Sequence, residues 1–272
     1  MGVASRAARL GVAAAWVGVV AACAGPPTPL AGQGTTDEPA VLYRAALLQA
    51  APGRLLDLIA VLRARFPEDD PASPLVMRHS QGDHWDLMIL GPASELESGL
   101  SNAAPPDLLA LVRGRPTEPP EASEVEAVEQ PLAADSLDAL LAWSEDLWAW
   151  GPPVRTFRDR ARGAGFFHIE MFVALAGRRA GLVEQRRMEN EYLRRIGLSD
   201  NLLWVRHAGA DWDAFTIGFY RDLAHYAEPS PVDPAMRDAI TVEVGFPEPG
   251  SIGAYLRRFL LRHNDTLAGV AR

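Results

Sequence analysis

Lysine is missing from the 272-residue sequence, and cysteine occurs once, at Cys23. All 26 basic residues are therefore arginine, which excludes a Schiff base, a catalytic ammonium and a phosphate-loop lysine. A lone thiol excludes a disulfide within the chain and a thiolate zinc site. Positive charge is also in deficit: 35 acidic residues leave a net charge of −9. Such a surface suits neither nucleic acid, whose phosphates need a surplus of Arg and Lys, nor a polybasic hold on anionic lipid. Also absent are a Gly-rich phosphate loop, a nucleophile elbow and a His-Glu-x-x-His helix. Chemistry is left to His, Asp, Glu, Ser, Tyr and Arg. With 48% hydrophobic and 22% charged residues, the chain can bury a real core in one large or two small domains.

The first nine residues carry Arg6 and Arg9 and no acid, and an apolar or small-residue run follows from Leu10 to Ala22. That run is too short to span a bilayer but has the layout of an export signal. It ends Val20-Ala21-Ala22-Cys23, which resembles the lipobox of bacterial lipoproteins. The resemblance implies removal of residues 1–22 and lipidation of Cys23 with three acyl chains, enough for stable membrane anchoring. Ala24, rather than Asp, after that cysteine implies the periplasmic face of the outer membrane over the inner one. Cleavage after Ala24 as an ordinary signal peptide is the alternative. Residues 23–38 are rich in Pro, Gly and Thr and read as a flexible tether.

The remaining chain repeats itself. VLYRAALLQAAPGR (41–54) matches GFFHIEMFVALAGR (165–178), each a strand-like run that leads through Gly-Arg into a helical pattern. LVMRHSQGDHWDLMIL (75–90) matches LWVRHAGADWDAFTI (203–217), each an apolar hairpin with Arg-His, a Gly turn and Trp-Asp. LLAWSEDLWAW (140–150) matches FLLRHNDTLAG (259–269), both read as helical segments. A repeat of about 120 residues signals a pseudo-twofold pair, here 39–153 and 154–272, rather than a solenoid. The spacing predicts helices over 52–66 and 179–196, the second ending before Gly197. The acidic, Pro-rich stretch 115–135 reads as a loop.

The strand HIEMFVAL (168–175), the helix EQRRMENEYLRRIG (184–197) and the strand WDAFTIGFYRD (212–222) resemble the dimeric α/β-barrel superfamily, NIPSNAP- and EthD-like members included. The resemblance implies an α+β fold: two tandem ferredoxin-like βαββ units whose sheets pair as an intramolecular dimeric α/β barrel. It leaves activity open, because the superfamily holds oxygenases, haem enzymes and proteins of no known role.

Strand alternation puts Phe167, Ile169, Met171 and Val173 on one face and His168, Glu170 and Phe172 on the other. The expectation is that the apolar set lies under a helix and His168 and Glu170 face a cavity between the sheets. There they form base and orienter, a metal-holding pair, or a plain polar pair at the mouth. The first copy has Arg44 and Ala46 at those positions. On the 179–196 helix, Glu189 falls inside the stripe of Leu182, Met188, Tyr192, Leu193 and Ile196, with Gln185 close by. A buried carboxylate needs an Arg partner or a role as a general base. Arg78, Trp85 and Asp86 in one hairpin, and Arg206, Trp212 and Asp213 in the other, read as structural: Trp packs, and Asp pairs with Arg. His225 and Tyr226 follow the second hairpin, and His263 and Asp265 lie near the C-terminus. By the resemblance they would cap a pocket or ligate haem, though no attachment motif is present and no cofactor is expected. The expected function is binding of a small, largely apolar ligand between the sheets. A cofactor-independent oxygenase or isomerase with His168 as base, and a non-catalytic envelope interaction protein, are the alternatives.

Overall fold

The computed structural model describes residues 40–68, 70–94 and 137–271. Cys23, the leader, the tether and the loop at 115–135 lie outside the described residues. The elements run β1 (Val41–Ala50), α1 (Leu55–Arg65), β2 (Leu75–Gln81), β3 (Leu87–Pro92), α2 (Leu137–Leu140), β4 (Leu141–Gly151) and α3 (Val154–Ala161). They continue with β5 (Phe166–Ala174), α4 (Arg179–Arg195), β6 (Leu202–Gly209), β7 (Ala214–Tyr220), α5 (Leu223–Tyr226), α6 (Pro234–Glu243), α7 (Ile252–Leu256) and β8 (Leu260–Val270).

Eight antiparallel strands close into a barrel in the order β1-β3-β2-β8-β5-β7-β6-β4. Within each half, the first strand pairs with the third and fourth, and the second with the third. The halves join where β2 pairs with β8 and β4 with β6. The segments read as terminal helices are thus β4 and β8. In LLAWSEDLWAW the alternation that buries Leu147 and Ala149 inward belongs to a strand, and β8 buries Thr266 and Ala268 the same way. The 153/154 boundary falls between β4 and α3.

Alternation along β1 and β5 separates two cores. Tyr43, Ala45 and Leu47 point into the barrel, and Ala46, Leu48 and Ala50 point out against Leu58, Ile59 and Leu62 of α1. Likewise Phe167, Ile169, Met171 and Val173 point inward, and Phe172 and Ala174 pack outward on Leu182 and Val183 of α4. This reverses the expected assignment of faces: the apolar set fills the barrel, and His168 and Glu170 lie on the helix side. The reason is volume. The interior takes Trp85, Trp204, Trp212 and Phe215, and Phe157 of α3 plugs in against Tyr43, Trp204 and Phe219. A packed aromatic core leaves the outer face as the one that can carry polar groups.

The repeated hairpins close the barrel. Gly82 and Gly209 have φ of +110° and +91°. A Cβ on Gly82 would stand 1.9 Å from the Asp265 carbonyl oxygen, and one on Gly209 2.4 Å from that of Asp146. Each turn therefore presses a side-chain-free residue onto the fourth strand of the other half. The carboxylates of Asp86 and Asp213 accept from the amides of Ala50 and Ala174, both at 2.8 Å, tying hairpin to first strand. Trp85 and Trp212 are buried as expected. The Arg pairing holds in one copy only. Arg206 donates to Asp213 at 3.1 Å, whereas Arg78 is exposed and, among the described residues, has no ion pair with Asp86. The first loop is one residue longer, so the partner of Asp86 across the hairpin is His79, and the one-residue slip turns Arg78 to the other face.

Candidate functional site

The sheet-to-helix space of the second half is not apolar throughout. Glu170 rises from β5 into it, and Arg186 comes down from α4 at 2% exposure. Arg186 Nη1 donates to Glu170 Oε2 at 3.0 Å, its Nε to Gln185 at 2.7 Å and its Nη2 to Glu189. The guanidinium also lies 4.9 Å over the Phe172 ring. Thr216 of β7 donates to the same Glu170 oxygen at 3.1 Å, and His263 Nε2 stands 3.4 Å from the other. Burial alone would raise the Glu170 pKa, but His263, Arg186 and His168 overturn it and hold the carboxyl down at about 2. Glu170 is a fixed anion.

Glu189 behaves oppositely. Burial and the Glu170 charge raise its pKa against the pull of Arg186 and of Gln185, whose amide donates at 3.2 Å. His168 Nε2 is hydrogen-bonded to Asp265 of β8. Burial lowers the His168 pKa, and the Asp265 bond with the charges of Glu170, Asp265 and Glu189 more than reverses that, for a net rise above 6.5. Glu170, His263 and Asp265 each offer a ligand atom within 4.8 Å of the others, as a metal would need. Glu170 Oε2 and Asp265 Oδ1 already serve Arg186, Thr216 and His168, while Glu170 Oε1, the oxygen nearest His263, takes no part in those bonds.

A cleft of about 320 Å³ opens beside this network, between β5, β7, the C-terminal end of α4 and the segment after β7. His168, Glu170, Glu189, His225 and Tyr226 all line it. The five residues singled out in the sequence thus meet at one place, on the helix side of the sheet rather than between sheets. Asp222 caps α5 by accepting from the His225 amide at 2.8 Å, which sets His225 and Tyr226 over the opening. His225 Nδ1 accepts from the Arg221 amide at 3.1 Å, leaving Nε2 as its N–H. Tyr226 stacks at a tilt on His168, with ring centroids 5.4 Å apart. The Glu189 side chain is both ion-paired and cleft-lining. The buried stripe of α4 centres on Leu182, Val183, Gln185 and Arg186, turned from the expected Met188–Tyr192 side. Sequence reasoning passed over Arg186, Thr216, Asn201 and Tyr220. Arg186 carried a signal, since it follows Leu182 by four and precedes Glu189 by three, on the same face.

No family model and no curated protein sequence matches the chain. Solved structures do. An anthrone oxidase-like protein aligns with a TM-score of 0.51 at 6% identity, covering 85% of this chain and 91% of that one. The fold is that of a dimeric α/β barrel. A protein of Lactobacillus acidophilus NCFM assigned as a monooxygenase gives 0.48 at 6% identity over 86% and 95%. A chlorite dismutase from Candidatus Nitrospira defluvii gives 0.43 at 10% over 85% and 92%.

Proposed function

We propose that this chain is a cell-envelope lipoprotein, anchored through Cys23, whose second half binds a small molecule in the α4 cleft and takes a proton from it onto His168. The arrangement behind it is read as two tandem ferredoxin-like units fused into one barrel, supported by the identical pairing order of the four strands in each half. The reaction class is cofactor-independent oxidation or isomerisation, which begins when a base removes a proton from a hydroxyl or an activated C–H. The observation that carries the reading is the His168–Asp265 pair at the cleft wall. Asp265 holds Nε2–H, which leaves Nδ1 as the acceptor in the neutral ring. Burial lowers the His168 pKa, but the Asp265 bond and the neighbouring carboxylates raise it on balance, which makes the ring a stronger proton acceptor. Glu170, fixed as an anion behind the ring, stabilises the imidazolium that forms.

Oxygen uptake and product formation by the mature chain with a panel of quinols test this. His168→Ala should lower kcat by about 10²–10⁴-fold, the usual worth of a general base. Turnover by His168→Ala equal to the parent sinks the enzyme reading. The solid barrel interior favours a second reading, a non-catalytic envelope interaction protein using the barrel as scaffold. Its mark would be a parent protein that neither binds nor converts any member of the panel. Mass spectrometry of the mature N-terminus decides the anchor: lipid on Cys23 is expected, and an unmodified start at Ala24 or Gly25 removes it.

A further inference from the structure

The floor of the cleft holds an acceptor with nothing to accept. Asn201 sits just before β6 at 7% exposure. Asn190 of α4 fixes its backbone, donating to the carbonyl at 2.7 Å and accepting from the amide at 3.0 Å. The Asn201 side chain borders the cleft, yet its buried Oδ1 has no hydrogen-bond partner. A buried acceptor left this way is costly, and a fold retains it where a ligand supplies the donor.

Gly218 of β7 lets the Asn201 and Tyr220 side chains close over the strand. A Cβ there would lie 2.7 Å from Asn201 Oδ1 and 2.7 Å from the Tyr220 hydroxyl oxygen. Two polar atoms from two elements thus lie no more than twice that distance apart, a span that one ligand oxygen can bridge. Burial pushes the Tyr220 phenol up to about 12, so it remains an O–H donor at any working pH. Around this point the lining carries three carboxyl groups, Glu170, Glu189 and Glu228, against the imidazoles of His168 and His225 and no arginine, with the rings of Tyr220 and Tyr226.

The geometry points to a hydroxyl-reading subsite: one ligand O–H donates to Asn201 Oδ1 and accepts from the Tyr220 hydroxyl. The ligand class is a neutral, ring-bearing alcohol or phenol, and a carboxylate of the same shape is rejected. This rests on the reading of the α4 cleft as the ligand site, and the test separates the two.

The probes are 1-naphthol, naphthalene and 1-naphthoate, titrated against the mature chain by calorimetry and by intrinsic fluorescence. We expect 1-naphthol to bind about tenfold tighter than naphthalene, the worth of one to two net hydrogen bonds, and 1-naphthoate weakest. Asn201→Leu and Tyr220→Phe should each erase most of that preference while naphthalene affinity holds. Tyr220→Phe keeps the ring and hence the fold, so the outcome does not hang on Asn201→Leu alone. Leu193→Trp, which fills the cleft, should abolish binding of all three. If naphthol and naphthalene bind alike, or both variants keep the preference, the subsite is overturned, and the cleft still stands if Leu193→Trp blocks binding. Binding that survives Leu193→Trp, or no binding of any probe, overturns cleft and subsite together.

Discussion

The two halves of this barrel place different chemistry on one frame. Strand partners fix the equivalence, since Leu48 pairs with Leu87 and Ser144 as Phe172 pairs with Ala214 and His263. By the same register Arg44 corresponds to His168, Ala46 to Glu170 and Asp146 to Asp265. The helices align through the bonds Leu58 N to Arg54 O and Leu182 N to Arg178 O, which match Leu62 with Arg186. Where the second half buries the Glu170–Arg186 ion pair, the first buries Ala46 against Leu62. Where the second has His168 on Asp265, the first has Arg44 on Asp146 at 3.1 Å, with the guanidinium 4.2 Å over Trp148. A permanent cation replaces a titratable one. Between sheet and helix the first half is thus apolar at the Ala46/Leu62 position, while its own buried cation, Arg44, pairs with Asp146. Desolvating an ion pair is seldom repaid in stability alone, and the Glu170–Arg186 pair has no counterpart at the matching positions of the first half.

The sharpest way to break the comparison is to remove one charge. Arg186→Leu installs the first-half residue but strands Glu170 in a buried site, and should cost about 3–5 kcal/mol in urea unfolding. Adding Glu170→Ala completes the conversion to the first-half pair and should recover most of that loss or exceed the parent. A single variant as stable as the parent would mean the two positions are not coupled.

Acid titration sharpens the same contrast with a smaller effect. The folded-state pKa of Glu170 is depressed from 4.5 to about 2. Its contribution is therefore complete above the unfolded value and disappears as pH falls from about 4.5 toward 2, on the order of 3 kcal/mol in all. Groups facing it are Arg186 and Glu189 on α4, His168 on β5, Thr216 on β7 and His263 on β8. His168, with its pKa raised, has the opposite slope: its stabilisation is full below 6.5 and is lost as pH rises through the folded value. The paired Ala/Leu variant should flatten the acid limb of a stability profile, and an unchanged limb would place the titration elsewhere.

The smallest test concerns what the halves share. Asp86→Ala and Asp213→Ala each remove the tie from hairpin to first strand and should cost about 1–2 kcal/mol by thermal unfolding. Asp213→Ala should cost slightly more, because Arg206 loses its partner as well. A neutral Asp86→Ala would confine the clasp to the second half.

Much of this was legible in the residues. The duplication, the two hairpins with buried Trp, the helix ending at Gly197 and the polar side of β5 all follow from period and turn chemistry. What periodicity could not say is which side of β5 faced the interior, since a strand buried on both faces shows only alternation. That depends on the aromatic residues other strands bring, Trp204 and Phe215 above all, which occupy the barrel. The C-terminal strand was equally hidden: Leu260–Val270 owes its extended form to partners on β5 and β2, far away in sequence.

Local sequence, then, determined the repeated unit, its turns and the residue types available for chemistry, because those depend on backbone preference and spacing along one segment. Only the tertiary structure decided that His168, Glu170, Glu189, His225 and Tyr226 share a cleft and that Arg186 and Asp265 hold three of them. Ionisation, pairing and access depend on neighbours drawn from strands and helices that the chain order keeps apart.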